Sequence, residues 1–325
     1  MIREKIGTYK PGHLLQTALL LCSMGLLFVL TGWIIAGGMG VKFALILAVI
    51  AFFLTPKFSF HFYLTSRGAR RLRPEQAPRL FEITRLLAKR AGLFRTPELY
   101  HIPDNGMNAF AVGDRESAAI GLTDGILRGL EAREIAGVLG HEITHIKNND
   151  TGIMGLAGLV NRLTAYLSIL GQFLLALFVP ALFLGRVHIP LVEILFLIFA
   201  PTIGAFLYLA LSRTREFDAD LGSALLTGDP GGLASALVKL EGRKGGLWQG
   251  LLMPGWRREN SLMLSHPPTK ERIGRLMSVA SKIPAPVKQN AFLPDTGFVP
   301  SRMFVGMPHI RRRLSGMPIP YTRYL

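Results

Sequence analysis

The chain has one cysteine, Cys22, among 325 residues. No intramolecular disulfide can form, and no thiolate-based metal site can be built from a single thiol. Acidic residues are also scarce, 21 Asp and Glu against 37 Lys and Arg, for a formal charge of +16. Such a balance fits either a nucleic-acid binder or a protein with basic flanks at a cytoplasmic membrane face, and the placement of the charges decides between them. No zinc finger, RNA-binding signature or other nucleic-acid motif is present. Charge as a whole is thin: 18% of residues are charged while 50% are hydrophobic, and the mean hydropathy is +0.35. That is a membrane protein's composition.

The uncharged runs are where spans belong. Leu14 to Val41 holds no charged residue, more than the ~20 residues a bilayer crossing requires. It also exceeds the ~7–15 apolar residues of a signal-peptide core, so it reads as a retained anchor. The second stretch, Phe43 to Pro56, is short and is lengthened by Lys42 and the aromatic run Phe58 to Leu64. The pair reads as a hairpin about Gly37, Gly38 and Gly40. Leu163 to Gly185 and Ile194 to Ser212 give a third and a fourth span, with Gln172 inside one and Pro201 inside the other.

Between Arg67 and Arg95 lie nine Lys/Arg and two Glu, whereas the two short span-connecting loops carry almost no charge. By the positive-inside rule, both termini and the segment after span two are expected in the cytoplasm of a multi-pass protein of the cell's inner or plasma membrane. The basic stretch is expected against anionic head groups, not nucleic acid.

Outside the spans, apolar spacing predicts a helix over 75–91. Short β-rich runs follow at Glu98–Ile102, Asn108–Val112 and Ala118–Leu122, read as a small sheet. A helix is predicted over Glu131–Asn148, another over Thr214–Thr227, one from Pro230 to about Leu240, and a last one from Thr269 to about Val279. The expected division is 1–64 for the first membrane hairpin, 65–150 for the first part of a soluble domain, 151–212 for the second hairpin, 213–280 for the rest of that domain, and 281–325 for a Pro-rich basic extension.

The chemistry starts at His141-Glu142-Ile143-Thr144-His145. Residues four apart are ~40° apart around a helix, so both imidazoles face one side and can bind a single Zn²⁺. Glu142 projects beside them, placed to act on an attacking water as general base. Glu216 and Asp220, just after span four, again share a helix face. Glu216 can complete a His₂Glu site, and Asp220 can accept a hydrogen bond from the outer nitrogen of a ligand histidine. The hairpin between the two segments lets their helices emerge side by side.

Other residues leave alternatives open. Asn108, Ala109 and Phe110 read as an edge strand for an extended substrate backbone, or as a plain core strand. His266, in an HPP turn, could stabilise an oxyanion or hold the last helix. Arg215 has Glu216, Asp218, Asp220 and substrate as candidate partners.

The stretches GHEITHIKNNDT and SRTREFDADLGSALLTGDP, flanking a membrane hairpin, closely resemble the HtpX-like membrane zinc metallopeptidases. PDNGMNAFAVG, GLTDGIL and SHPPTKERIGRL extend the match. The prenyl-protein (CAAX) endopeptidases are more distantly similar. The resemblance implies an α+β membrane protein: four transmembrane helices with a mainly helical, gluzincin-like cytoplasmic domain containing a small sheet. It implies one zinc ion per chain on His141, His145 and Glu216, with Glu142 catalytic and Asp220 as the supporting acid. It also implies an endopeptidase that clears misfolded membrane proteins in quality control and the stress response. Its expected partners are polypeptides and the lipid bilayer. Two rivals stand beside it, a prenyl-protein endopeptidase and a non-proteolytic scaffold with structural zinc. The extension 281–325 departs from the family's usual end and is a candidate oligomer arm, lid or partner-binding segment.

Overall fold

The fold is given by a computed structural model that describes residues 9–58, 68–183, 191–242 and 267–280. Among the described residues the chain is mainly helical, with a small sheet and three helices long and apolar enough to cross a membrane. It divides into two compact units, and the long helix that carries the last of these segments passes from one unit to the other between Asp218 and Ala219.

The first unit holds α1 (Tyr9–Phe58), α5 (Asp150–Phe183) and the N-terminal part of α6 (Leu191–Thr227). Helix α1 is broken where the sequence carries its glycines: Ala36 and Gly37 leave helical geometry, and Gly37 has φ +54°. A side chain added at Gly32 would meet the Gly40 carbonyl oxygen at 2.7 Å. Eight residues of straight helix span roughly 12 Å, so the chain doubles back at Gly37 and the backbones touch. Met24, Ala157 and Leu211 pack α1, α5 and α6 together, while Leu19, Phe43, Ile169 and Phe206 point outward. Outward apolar side chains along three such helices are what a lipid environment requires.

Pro201 lies inside α6. Proline donates no hydrogen bond to the carbonyl four residues back, here that of Leu197. From α5, Ser168 Oγ donates to that same oxygen, and Gln172 Nε2 reaches it at 3.3 Å. The two polar features that interrupt the third and fourth apolar runs therefore satisfy one another, as the hydrocarbon interior demands.

The second unit is built on a four-stranded mixed sheet of order β1-β2-β4-β3. Its strands are β1 (Arg70–Arg71), β2 (Glu98–Ile102), β3 (Ala109–Gly113) and β4 (Ala118–Thr123). β2 and β4 are parallel, with Leu99 opposite Ile120, and the other pairs are antiparallel. β3 is an edge of the sheet. The helices are α2 (Pro78–Ala91), α3 (Asp124–Gly129), α4 (Ala132–Asn148), the end of α6, α7 (Pro230–Gly242) and α8 (Thr269–Ala280).

Leu80, Ile83 and Leu87 of α2 meet Leu99, Ile120 and Leu122 of the sheet, and Ile135, Leu139, Ile143 and Ile146 of α4 complete the core. The α4 residues in that list form one stripe. At 100° per residue, His141 and His145 lie roughly 135° away from it, with Glu142 between. Burying the isoleucine stripe therefore turns the histidines to the other side.

The N-terminus of α4 is held by Glu134. Its Oε2 accepts from the Glu131 N–H at 2.7 Å, its Oε1 accepts from Ser235 Oγ at 2.6 Å, and Lys239 Nζ lies 2.7 Å away. Burial pushes the Glu134 carboxyl up, but the bonds from Lys239, Ser235 and the Glu131 amide outweigh it and hold the group below its ordinary value. A depressed carboxyl stabilises the fold above the unfolded-state pKa and loses that contribution as pH falls through the folded one. Glu134→Gln should therefore be less stable than wild type at neutral pH. The gap should close as pH drops below the ordinary glutamate range, read by thermal unfolding in detergent across pH.

Candidate metal centre

Helix α4 is set in place by small residues. A side chain at Gly137 would strike the Leu233 backbone nitrogen at 2.8 Å, and Ser223 Oγ donates to the Gly137 carbonyl at 2.6 Å. Helices α6 and α7 can thus approach α4 at backbone distance. At the far end Asn149 adopts φ +57°, a left-handed conformation asparagine tolerates. It separates α4 from α5, so the HExxH segment ends where the apolar helix starts.

The two histidines converge. Their Nε2 atoms are 3.0 Å apart, with ring planes at 89°. His141 Nδ1 lies 3.0 Å from Asp220 Oδ1. A carboxylate accepts the Nδ1 proton, which puts the His141 lone pair on Nε2, the atom that faces His145. Ligand atoms of His141, His145 and Glu216 all lie within 4.8 Å of one another. Glu216 precedes Asp220 by one turn of the continuous helix α6, so both carboxylates come from one helix face.

Asp220 is itself gripped by α8. Arg272 Nε donates to its Oδ2 at 2.8 Å and Nη2 to its Oδ1 at 2.6 Å. Both side chains are buried, Asp220 with 3% and Arg272 with 6% of its surface exposed. Burial alone raises the Asp220 carboxyl, yet the hydrogen bonds and charges of Arg272 and His141 reverse this and keep it below the ordinary aspartate range. Asp220 is therefore an anion, and the order of contact is Arg272 to Asp220 to His141.

Of the two histidines, it is His141 that Asp220 contacts. Arg215 pairs with Asp218 at 2.6 Å and with Asp150 at 3.4 Å. Glu142 is buried. Asn108 leads into the edge strand, its N–H donating to Thr123 Oγ1 at 2.9 Å, and Ala109 and Phe110 pair with Leu122 and Gly121 of β4. His266 and the 281–325 extension lie outside the described residues. Arg272 is the residue the motifs did not single out. Its signal was present as an arginine on the apolar stripe of α8, one turn from Leu276.

The donor set fits a divalent cation. Two zinc-bound imidazole nitrogens at ~2.0–2.1 Å in a tetrahedral arrangement are about 3.3 Å apart, close to the 3.0 Å between these Nε2 atoms. Two nitrogens and one carboxylate make a set of borderline softness, suited to zinc. The lone cysteine sits on α1.

An HExxH helix, a glutamate from a second helix and apolar spanning helices define a membrane metalloprotease. The chain belongs to peptidase family M48, whose sequence model matches residues 74–280. It is 36% identical over 286 residues to the protease HtpX homolog of Burkholderia mallei strain SAVP1, covering 82% of this chain and 96% of that one. The same figures hold for the protease HtpX homolog of Burkholderia pseudomallei strain 668. Among solved structures, Ste24p of S. mikatae aligns with a TM-score of 0.45 at 20% identity, covering 84% of this chain and 66% of that one. As a member of a peptidase family this chain acts on polypeptides, and its own apolar helices make it an integral membrane protein.

Proposed function

We propose that this protein is a zinc-dependent endopeptidase that cuts exposed or misfolded segments of membrane proteins on the cytoplasmic side, in a quality-control role. The observation that carries the reading is the convergence within 4.8 Å of ligand atoms of His141 and His145, on the helix that also bears Glu142, and of Glu216 from α6.

His141, His145 and Glu216 hold the ion. Zinc bound there supplies Lewis acidity toward a carbonyl oxygen and a water. Glu142 takes a proton from the attacking water and delivers it to the leaving nitrogen. Asp220 fixes the His141 tautomer, and Arg272 fixes Asp220. The edge strand β3 is where an extended substrate backbone would add to the sheet, a mode that reads main chain and suits broad specificity. Quality control fits this lack of side-chain selection.

Four crossings follow if each arm of the broken helix α1 spans once, with α5 and α6 making the second hairpin. The nine basic residues between Arg67 and Arg95 favour the cytoplasm for the catalytic part and both termini.

Glu216→Ala tests the ligand set. One of three protein ligands is lost, so purified Glu216→Ala in detergent should retain little zinc after dialysis and should not cleave casein. Wild-type zinc content in that variant would remove Glu216 from the site.

A further inference from the structure

Helix α2 ends in a tight motif. Gly92 is left-handed at φ +74°, its N–H bonds back to Ala88 and Lys89, and the Leu93 N–H reaches the Ala88 carbonyl at 3.0 Å. This six-to-one closure is a Schellman turn, in which the residue after the glycine packs back on the helix. Leu93 does so, joining the core of the second unit. The next residue, Phe94, is thereby held pointing away from the protein.

Phe94 is 91% exposed. Among the described residues of the second unit, the other exposed large apolar side chains are Val238 at 57% and Met277 at 46%. A loop tied down on both sides of its turn does not leave a phenylalanine in water by slackness. Along the sequence the charge near it has one sign between Glu82, which pairs with Arg79, and Glu98, which pairs with Arg71. From Ile83 to Pro97 the chain carries Arg85, Lys89, Arg90 and Arg95 and no acid. Arg85, Lys89 and Arg95 are exposed, while Arg90 donates to the Leu226 carbonyl at 2.7 Å.

An exposed aromatic residue on a turn whose flanking sequence carries exposed cations matches one partner above others, the anionic surface of a bilayer. The ring enters the acyl boundary and the cations meet the head groups. The chain's own apolar helices keep such a surface at high local concentration, so weak contacts suffice.

We propose that the α2–β2 turn is a lipid-contact site, in which Phe94 inserts at the bilayer interface and Arg85, Lys89 and Arg95 bind anionic head groups. The site is independent of the metal chemistry, and its test does not read cleavage.

The full-length protein, with Cys22→Ser and Phe94→Cys, is spin-labelled at position 94 and placed in nanodiscs of phosphatidylcholine alone or with phosphatidylglycerol. Accessibility to oxygen and to a water-soluble nickel chelate is read by power saturation. In anionic discs the label at 94 should be reached by oxygen in preference to nickel, while a label at Val238→Cys reports water in both lipids. Each basic residue contributes about fivefold to partition on an anionic surface. Arg85→Gln, Lys89→Gln and Arg95→Gln together should therefore return the label at 94 to water. A label at 94 that matches the one at 238 in both lipids overturns the proposal. So does one that changes only when unfolded casein is added, which assigns the turn to polypeptide instead.

Discussion

Glu142→Gln lowers peptide hydrolysis by about 10²–10⁴-fold, the range general acid–base catalysis contributes, and leaves the metal bound. The substitution keeps shape and removes only the group that takes a proton from the attacking water. Because α4 buries its isoleucine stripe on one side and turns His141 and His145 to another, a change at 142 disturbs neither the core nor the two imidazoles. The loss should fall on kcat, with metal content by atomic absorption equal to wild type. Equal loss of metal and activity would instead make Glu142 part of the ion's support. Cleavage at the wild-type rate would sink the assignment of a general base and favour a scaffold with structural zinc.

Arg272→Met should act on stability and metal affinity together. Removing one partner of a buried charge pair typically costs about 3–5 kcal/mol, because the other charge stays buried and alone. Asp220 is that other charge, 3% exposed and bonded twice to the guanidinium. Freed from Arg272, its carboxylate no longer has a fixed orientation toward His141 Nδ1. Loss of such outer support typically weakens metal binding by 10–100-fold. A second variant separates the two effects. Arg272→Met with Asp220→Leu removes both charges and should recover much of the lost stability, yet zinc affinity should stay low because His141 Nδ1 has no acceptor. Thermal unfolding of the metal-free protein reports the first effect, and competition with a zinc chelator the second. Full recovery of affinity in the double variant contradicts the chain of contact from Arg272 to His141.

How much of this was legible in the sequence depended on whether a signal was local. Period and punctuation placed the strand Glu98–Ile102 as observed and the helix bearing His141 to within a residue at its start, since alternation and isoleucine spacing are short-range patterns. The glycines near Gly37 marked the break in α1 because only glycine enters φ > 0 at little cost. What failed was continuity. Thr214–Thr227 read as a separate helix after an apolar run, whereas α6 runs unbroken from Leu191 to Thr227. Hydropathy changes at Arg213, but backbone hydrogen bonding does not follow hydropathy.

Long-range pairing was also out of reach. Nothing in the strand sequences states that β2 and β4 lie side by side in parallel, or that two residues of Arg70–Arg71 join the sheet. The candidate site divided in the same way. His141, Glu142 and His145 announce themselves by i, i+4 spacing, and Glu216 with Asp220 repeats it. Arg272 is one arginine among many in a basic chain; its place on the apolar stripe of α8 is its one sequence mark, and its burial against Asp220 is what gives it a role. The choice of Asp218 and Asp150 for Arg215 was likewise a matter of packing, not spacing.

The central claim is that His141, His145 and Glu216 bind one zinc ion. Zinc K-edge absorption on the detergent-solubilised wild-type protein, loaded to saturation and dialysed, tests it most directly. The account predicts one zinc per chain with two imidazole nitrogens and carboxylate oxygen at about 2.0–2.2 Å, and loss of the paired imidazole signal in His145→Ala. Substoichiometric zinc, or an unchanged spectrum in His145→Ala, would contradict it.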